Sequence, residues 1–491
     1  MDDPGVVLVQ VGQAGNQIGT ALTTVLGDEL ARQAGDGPVS GVRGWSTFFR
    51  AADGDGAAGG QAVARSVLVD LEPKVVQASI AAPREAGAAW RYPKNTTLVE
   101  QSGAANNWAC GYGAGGADDA LELLRREAEA CDFLGGVLIT HSLAGGTGSG
   151  LGSRLTEGIR DALGSTPALA NAVVAPYQEG EVIVQHYNAA LTLSRLQTAS
   201  DAVIVFENDA LEIICRQLLS IRDVSLHDMN GVIASNMARL MLPCDRFRRD
   251  ALCDALREPS NGTGGGGSSS KTAGGSSGTA PSPSNPAAML DSSRPLELWG
   301  DVVAALCPHP AFKLVTLKTL PQTPPASAAY SSFTWPGLTK HARQMVIADA
   351  HMEEGINWRV RAAPGRRYNV SVANLAVARG TDLAEAAPGL AALADPDMYA
   401  PWAGPDAFTA CGSIAAVGGQ DKTVLVASNS QTLVAPLELT LEKTGEMLGM
   451  GAYVHHYQKY GVGVDDLDDA ITAVAQIHAD YAGLSPEADD G

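Results

Sequence analysis

Residues 142–152 read SLAGGTGSGLG, with Gly145, Gly146, Gly148, Gly150 and Gly152 in eleven positions. A phosphate needs backbone N–H groups aimed at it with no side chain in the way, and glycine permits that close approach. A helix that starts just after such a turn adds its own free N–H groups and the positive end of its dipole. The stretch Gly145 to Gly150 precedes the helical pattern SRLTEGIRDAL, and Thr147 and Ser149 offer hydroxyls as further donors. It has no lysine, so it is not GxxxxGK[ST], and its glycines are not spaced as GxGxxG. By itself the stretch reads equally well as close packing between a strand and a helix.

Other loops carry complementary chemistry. Gly12, Gln13, Gly15, Asn16 and Gly19 form a second polar turn, directly after the apolar run VVLVQV. A further run, VLVDL, carries Asp70 and is followed by Glu72. Mg²⁺ takes oxygen ligands and keeps several waters, so one or two carboxylates beside phosphate oxygens suffice to hold it. Asn208 in FENDAL and Asn230 in HDMNGV each bear an amide with donors and an acceptor. Guanine shows ring N–H and amino donors beside a carbonyl acceptor, so a pair of amides can read guanine and reject adenine. Taken singly, either asparagine also suits a helix cap.

These residues need elements to hold them. Apolar runs at 6–11, 67–71, 136–140 and 202–206 are each followed by a loop and, for three of them, a clear helical pattern. Such alternation predicts a parallel sheet covered by helices on both faces. In such sheets ligands bind at the carboxyl ends of the strands, where every loop named above lies. From Leu226 the spacing changes: Leu226, Met229, Ile233, Met237 and Leu240 mark one face of a long helix, started by Ser225 and Asp228. Residues 260–286 carry one charge and no apolar residue larger than alanine, which predicts a disordered insertion. Near the end, Leu467, Ile471, Val474, Ile477 and Tyr481 form a helical stripe behind a cluster of aspartates suited to a solvated helix start.

The bulk properties limit the function classes. The chain has 491 residues, enough for two or three domains, and a net charge of −20 that argues against a general nucleic-acid binder. Its seven cysteines form no CxxC pair, as expected of reduced cytosolic thiols. No run approaches 18 apolar residues, so no membrane span is expected.

The stretches GQAGNQIG, VLVDLEP, QSGAANNWACGYG, THSLAGGTGSGLGSRL and ENDALEIIC resemble the tubulin family in order and spacing. GEVIVQHYNAALTLS and SSFTWPGLTKHARQMVIADAHMEEGINW are more similar to its δ branch than to its α, β or γ branches. The resemblance covers nearly the whole chain apart from 260–286. It implies an α/β fold: a tubulin-like GTPase domain with a Rossmann-like parallel sheet, joined by a long core helix to an α+β intermediate domain and a C-terminal helical region. The expected boundaries are 1–225 for the GTP-binding domain, 226–258 for the core helix and connection, 259–293 for the insertion, 294–430 for the intermediate domain and 431–491 for the C-terminal part.

Carried over residue by residue, the resemblance implies that Gln13, Ser142, Gly146, Thr147 and Gly148 hold the phosphates of GTP, beside Gly145 and Asn16 of the same loops. Glu72, with Asp70, would support Mg²⁺; Asn106 would lie near the phosphates, Glu181 near the ribose, and Asn208 and Asn230 on guanine. Leu226 stands where the family usually has an aromatic ring over the base, a loss worth roughly 1–3 kcal/mol of stacking. Gln185 replaces a ribose-binding glutamate, and the acidic tail is reduced to SPEADDG. Anchored on LCPHP, Asp301 occupies the position from which one subunit supplies an acidic residue to its neighbour's GTP; in LELWGDVVAAL it also suits a plain first-turn aspartate.

The resemblance implies a GTP-binding cytoskeletal protein of the cytoplasm, placed at centrioles and basal bodies, supporting triplet microtubules and cilium assembly. Its expected partners are other tubulins, the microtubule or centriolar proteins, with no nucleic acid and no membrane. Two other readings stand beside it: a non-polymerising GTP-binding partner module and a stand-alone GTPase switch.

Overall fold

The computed structural model describes residues 4–51, 61–100, 103–180, 182–257, 289–296, 299–324, 327, 331–363 and 366–484. Twelve strands make one sheet: β1 (Gly5–Val11), β2 (Ser66–Asp70), β3 (Thr97–Val99), β4 (Leu134–Ser142), β5 (Ala168–Ala175), β6 (Ala202–Glu207), β7 (Cys244–Phe247), β8 (Leu290–Leu296), β9 (Leu314–Leu320), β10 (Ser371–Gly380), β11 (Phe408–Ser413) and β12 (Lys422–Ser430). Their order is β8-β7-β11-β10-β12-β9-β6-β5-β4-β1-β2-β3. From β9 to β3 every neighbouring pair is parallel. β1 and β2 are buried along their whole length, as continuous apolar runs in a two-sided sheet must be.

The chain runs from β1 to β2 and β3 on one side and then crosses to β4 on the other. That reversal opens a crevice between the carboxyl ends of β1 and β4, the place where parallel sheets bind ligands. Helix α1 (Gly12–Ala34) leaves β1 without a linker. Gly12 makes the turn at φ +71°, and a Cβ there would come within 2.8 Å of Gly148 N. The loops after β1 and β4 are therefore in backbone contact.

The sequence divides a parallel sheet from a later α+β region, but the hydrogen-bonded ladder continues through both. β6 pairs with β9 in parallel at Val203↔Leu314, and β9 then pairs antiparallel with β12 at Leu317↔Ala427. β5 escapes the sequence reading because Asn171 interrupts its apolar run. That amide is buried between His141 Nε2 at 3.0 Å, Thr156 Oγ1 at 3.1 Å and Ser200 Oγ at 2.7 Å. Residues 259–288 of the expected insertion lie outside the described residues. Its last positions, 290–293, belong to β8, whose Leu290 pairs with Phe247 and Leu296 with Cys244.

Further helices follow in chain order: α2 (Gly152–Leu163), α3 (Gln185–Ala199), α4 (Asn208–Ile213), the core helix α5 (Leu226–Met241), α6 (Trp299–Leu306), α7 (Trp335–Ile347), α8 (Val434–Gly449) and α9 (Val464–Ala482). α5 starts with the capping box read from the sequence: Ser225 N donates to Asp228 Oδ2 at 2.9 Å, and Asp228 N to Ser225 Oγ at 3.3 Å. Met229, Ile233, Met237 and Leu240 are buried, while Leu226 is 53% exposed. On α9, Leu467, Val474, Ile477 and Tyr481 are buried, but Ala470 takes the place in the stripe expected of Ile471.

The far end of α5 is closed by a buried arginine. Arg379 of β10 donates to Arg239 O at 3.0 and 3.1 Å, to Pro243 O at 3.2 Å, and to Leu242 O. These carbonyls have no partner within the helix, and a guanidinium there also opposes the negative end of the dipole. Arg379→Met should therefore lower the chain's stability by about 1–3 kcal/mol, the cost of leaving buried carbonyls unsatisfied. Guanidinium chloride denaturation reads this as a lower midpoint, and an unchanged midpoint would contradict the clamp.

Candidate nucleotide site

The glycine stretch serves packing and open space at once. A Cβ on Gly146 would lie 2.7 Å from Asn107 N, one on Gly148 3.0 Å from Ser142 N, and one on Gly150 2.1 Å from Trp108 O. These three glycines let the loop nest between the 104–112 segment and β4. At Gly145, by contrast, a Cβ would meet nothing within 4 Å. The chain forms a wide turn at Thr147–Leu151 and then enters α2. Ser149 does not supply the donor expected of it: it is fully buried, and its hydroxyl is spent on Gly145 O inside the loop. Thr147 stays half-buried, and Ser142 Oγ accepts from Ala144 N at 3.1 Å, bracing the loop's first turn.

On the opposite wall, Gln13 is exposed in the first turn of α1. Asn16 is fully buried and donates to Gly12 O at 2.9 Å and to Val69 O at 3.0 Å, tying the β1 turn to β2. Its Oδ1 is buried without a protein partner, and so is Asp70 Oδ2 at the end of β2. Burial lifts the Asp70 carboxyl to about 6, even against the N–H groups of Leu71 and Glu72. Glu72 is exposed, and its Oε1 lies 3.6 Å from a Cβ built on Gly103. A lone buried oxygen beside an exposed carboxylate suits a cation that retains waters. Among the described residues no group of three or more Asp, Glu, His or Cys forms a full metal cage.

Behind both loops sits a residue that sequence reasoning missed. Asn188 of α3 is fully buried and all its capacity is used. Its Nδ2 donates to Asn106 O at 2.8 Å and to Ala144 O at 2.7 Å. Its Oδ1 accepts from Trp108 N at 3.0 Å and from Tyr457 Oη at 2.7 Å. Asn106 is exposed and left-handed at φ +55°, a conformation that asparagine tolerates. Asn107 beside it caps the helix Trp108–Tyr112 through Cys110 N at 3.1 Å and reaches His456 O at 3.2 Å. The signal for Asn188 was its place in VQHYNAAL, where a polar residue interrupts an apolar helix face.

At the other end of the crevice neither asparagine is a helix cap. Asn208 is the first residue of α4, and its Nδ2 donates to Ala175 O at 3.0 Å. Asn230 lies in the second turn of α5, nearly buried, with the exposed Leu226 one turn earlier at the rim. The 177–180 turn closes this end. Gln178 N donates to Asp209 Oδ2 at 3.0 Å, Tyr177 Oη lies 3.7 Å from Met229 Sδ, and Gln185 Nε2 donates to Tyr177 O at 2.8 Å. Gln185 is thus folded under the turn, where a Cβ on Gly180 would meet its Oε1 at 2.1 Å. Glu181, which follows this turn, lies outside the described residues.

Asp301 is not in the crevice. It is half-buried in the first turn of α6, whose Trp299 packs where a Cβ on Gly136 would be, 2.5 Å away. Gly136 is near the start of β4, and at about 3.3 Å per residue its carboxyl end is roughly 20 Å further on. Asp301 lines a separate groove of about 1120 Å³ with Arg246, His309 and Trp402.

A glycine turn at the switch point of a parallel sheet, a half-satisfied carboxylate beside it and two amides at the far end define a nucleotide-binding protein. The comparisons agree. Residues 5–216 match the Tubulin/FtsZ family, GTPase domain, which implies GTP as the nucleotide. The chain is 35% identical to the tubulin delta chain of Mus musculus over 503 aligned positions, covering 98% of this chain and 100% of that one. Those of Canis lupus familiaris and Homo sapiens are 34% and 32% identical, with the same coverage. The chain belongs to the tubulin family, and its resemblance to the delta chains extends over nearly its whole length. No described helix is long and apolar enough to cross a membrane.

Asp70 makes the nucleotide-free site sensitive to pH. Its folded value, about 6, lies above the 3.8 of a free aspartate. Between those values the folded chain keeps a proton that the unfolded chain has lost, so stability falls as pH rises and the loss is complete above about 6. Asp70→Asn should therefore stabilise the nucleotide-free chain by about 1–2 kcal/mol at neutral pH and leave it unchanged below pH ~4. Denaturation midpoints of parent and variant at the two pH values check this; equal midpoints at neutral pH contradict it.

Proposed function

We propose that the chain binds GTP with Mg²⁺ in this crevice and uses it to control contacts with other tubulins or centriolar proteins during microtubule-based assembly. The N–H groups of the Gly145–Gly148 turn and the start of α1 with Gln13 and Asn16 would bind the phosphates. Asn208 and Asn230 would take the guanine edge, with Leu226 closing over the ring face and Glu181 toward the ribose. Asp70 and Glu72 would hold Mg²⁺, which when bound neutralises phosphate charge. The likeness to tubulin delta chains supports a place at centrioles and basal bodies, where such a subunit would serve triplet microtubules and cilium assembly.

The observation that carries the assembly reading is the separation of Asp301 from the glycine turn. The two lie toward opposite ends of β4, so Asp301 is out of reach of the subunit's own phosphates. In a head-to-tail stack, the amino-end face of one subunit meets the carboxyl-end crevice of the next. There the Asp301 carboxylate would accept a hydrogen bond from the attacking water and orient it toward the γ-phosphate.

Single-turnover GTP hydrolysis tests this reading. The rate should climb with protein concentration, and Asp301→Asn should lower it by about 10²-fold in assembled samples while GTP binding stays unchanged. Equal rates for parent and variant would remove the catalytic role. A rate independent of concentration would point instead to a self-contained switch.

A further inference from the structure

The 357–367 segment carries Arg359, Arg361, Arg366 and Arg367, all exposed, in a chain whose net charge is −20. Nearby carboxylates are already engaged. Asp349 accepts from Lys318 Nζ at 3.4 Å and Thr432 Oγ1 at 2.7 Å, Glu353 pairs with His341 at 3.0 Å, and Asp395 pairs with Arg343 at 2.6 Å. Glu354 and Asp397 remain exposed, against four guanidinium groups and Lys340. The local balance is therefore positive on a strongly negative molecule.

The same stretch of chain carries an apolar feature. Trp358 is 47% exposed, although its size favours burial. Lys340 Nζ lies 5.2 Å from its ring centre, and the His341 ring meets it edge-on at 5.2 Å. The patch is braced from beneath. Gln344 of α7 donates to Asn357 O and Val360 O, both at 2.9 Å. Glu353 N donates to Gln322 Oε1 at 2.7 Å, and Gln322 Nε2 to His351 O at 3.0 Å. Trp358 and the turn after Asn357 are thus held in place before any partner arrives, which reduces the ordering cost of binding.

We infer that Arg359, Arg361, Arg366 and Arg367, on the same stretch of chain as the exposed Trp358, form a docking surface for an acidic peptide segment of a partner protein. Guanidinium groups pair with carboxylates through two parallel hydrogen bonds, and the indole offers an apolar seat between them. The charge distribution favours a short acidic segment over an extended polyanion. A nucleic acid places one phosphate every 3.4 Å along each strand, and beyond the patch it would meet a surface of its own sign.

The test uses the full chain and a short fluorescein-labelled peptide rich in glutamate with a central leucine, followed by anisotropy. The peptide should bind, weaken as salt rises, and be displaced by its unlabelled form but not by a lysine-rich one. Replacing the four arginines with glutamine should weaken binding at least about tenfold, the equivalent of two exposed charge pairs. Trp358→Phe should remove the change in tryptophan emission that accompanies binding. GTP binding by each variant confirms that it is folded. Peptide binding unchanged by the arginine substitutions would overturn the proposal. So would an oligothymidylate that binds as tightly as the peptide and through the same four arginines.

Discussion

The buried amide of Asn188 is where three distant parts of the chain meet. An asparagine side chain has two donors and a carbonyl oxygen, and in the interior each must find a partner. Here they go to the Asn106 turn, the Ala144 turn, the start of the Trp108 helix and the Tyr457 hydroxyl. The glycine turn thus has its position set from behind, by a helix of the sheet and a tyrosine of the C-terminal region. Asn107 adds a second tie to that region through His456 O, and Tyr187 Oη a third to Ala452 O at 3.2 Å. A network whose polar groups are all satisfied rigidifies its surroundings. The C-terminal helices are consequently part of the nucleotide site's frame, although none of their side chains needs to face the crevice.

The same economy operates at the other end of the core helix. α5 begins at the Asn208 and Asn230 end of the crevice and finishes at Arg379, which belongs to the antiparallel half of the sheet. One rigid element therefore spans the distance between the two halves, with a capping box at its start and a guanidinium at its end. Arg239 is buried at the same end. Burial pulls its guanidinium down to about 10, offset in part by the charge of Glu29 on α1, which also accepts from Gly418 N at 2.7 Å. With the ladder unbroken between β6 and β9, a shift of α5 would strain one sheet rather than a loose joint between two.

Much of this was legible in the sequence because it follows from periodicity and turn chemistry. The apolar runs of β1, β2, β4 and β6, the capping residues Ser225 and Asp228, and the core-facing stripe of α5 are local patterns with local causes. What stayed hidden depends on long-range pairing. Asn171 disguises β5, since a buried amide is acceptable only when His141, Thr156 and Ser200 arrive from other elements. The first four residues of LDSSRPL fall in the expected insertion, and only the pairing with Cys244–Phe247 makes them a strand. The choice between packing and phosphate for the glycine turn was open for a related reason: Gly146, Gly148 and Gly150 are required by neighbours, while Gly145 meets open space. The packing reading rests on the loop's crowded side, and the phosphate reading on its open side.

The distribution of unsatisfied atoms sharpens this contrast. Around Asn188, behind the crevice, every polar atom of the amide has a partner. At the ends of β1 and β2 two buried oxygens do not: Asn16 Oδ1 and Asp70 Oδ2. A lone buried carboxylate oxygen is costly, which is why burial raises the Asp70 carboxyl. The fold thus satisfies one amide four times over and leaves the Asp70 carboxylate one partner short. A ligand that brings a cation or donors to that place recovers free energy that the empty fold forgoes. On the proposed reading, occupancy would be coupled to stability through Asp70, while Asn188 holds the loops around it independently. On that reading the site would respond to its nucleotide without its frame having to move.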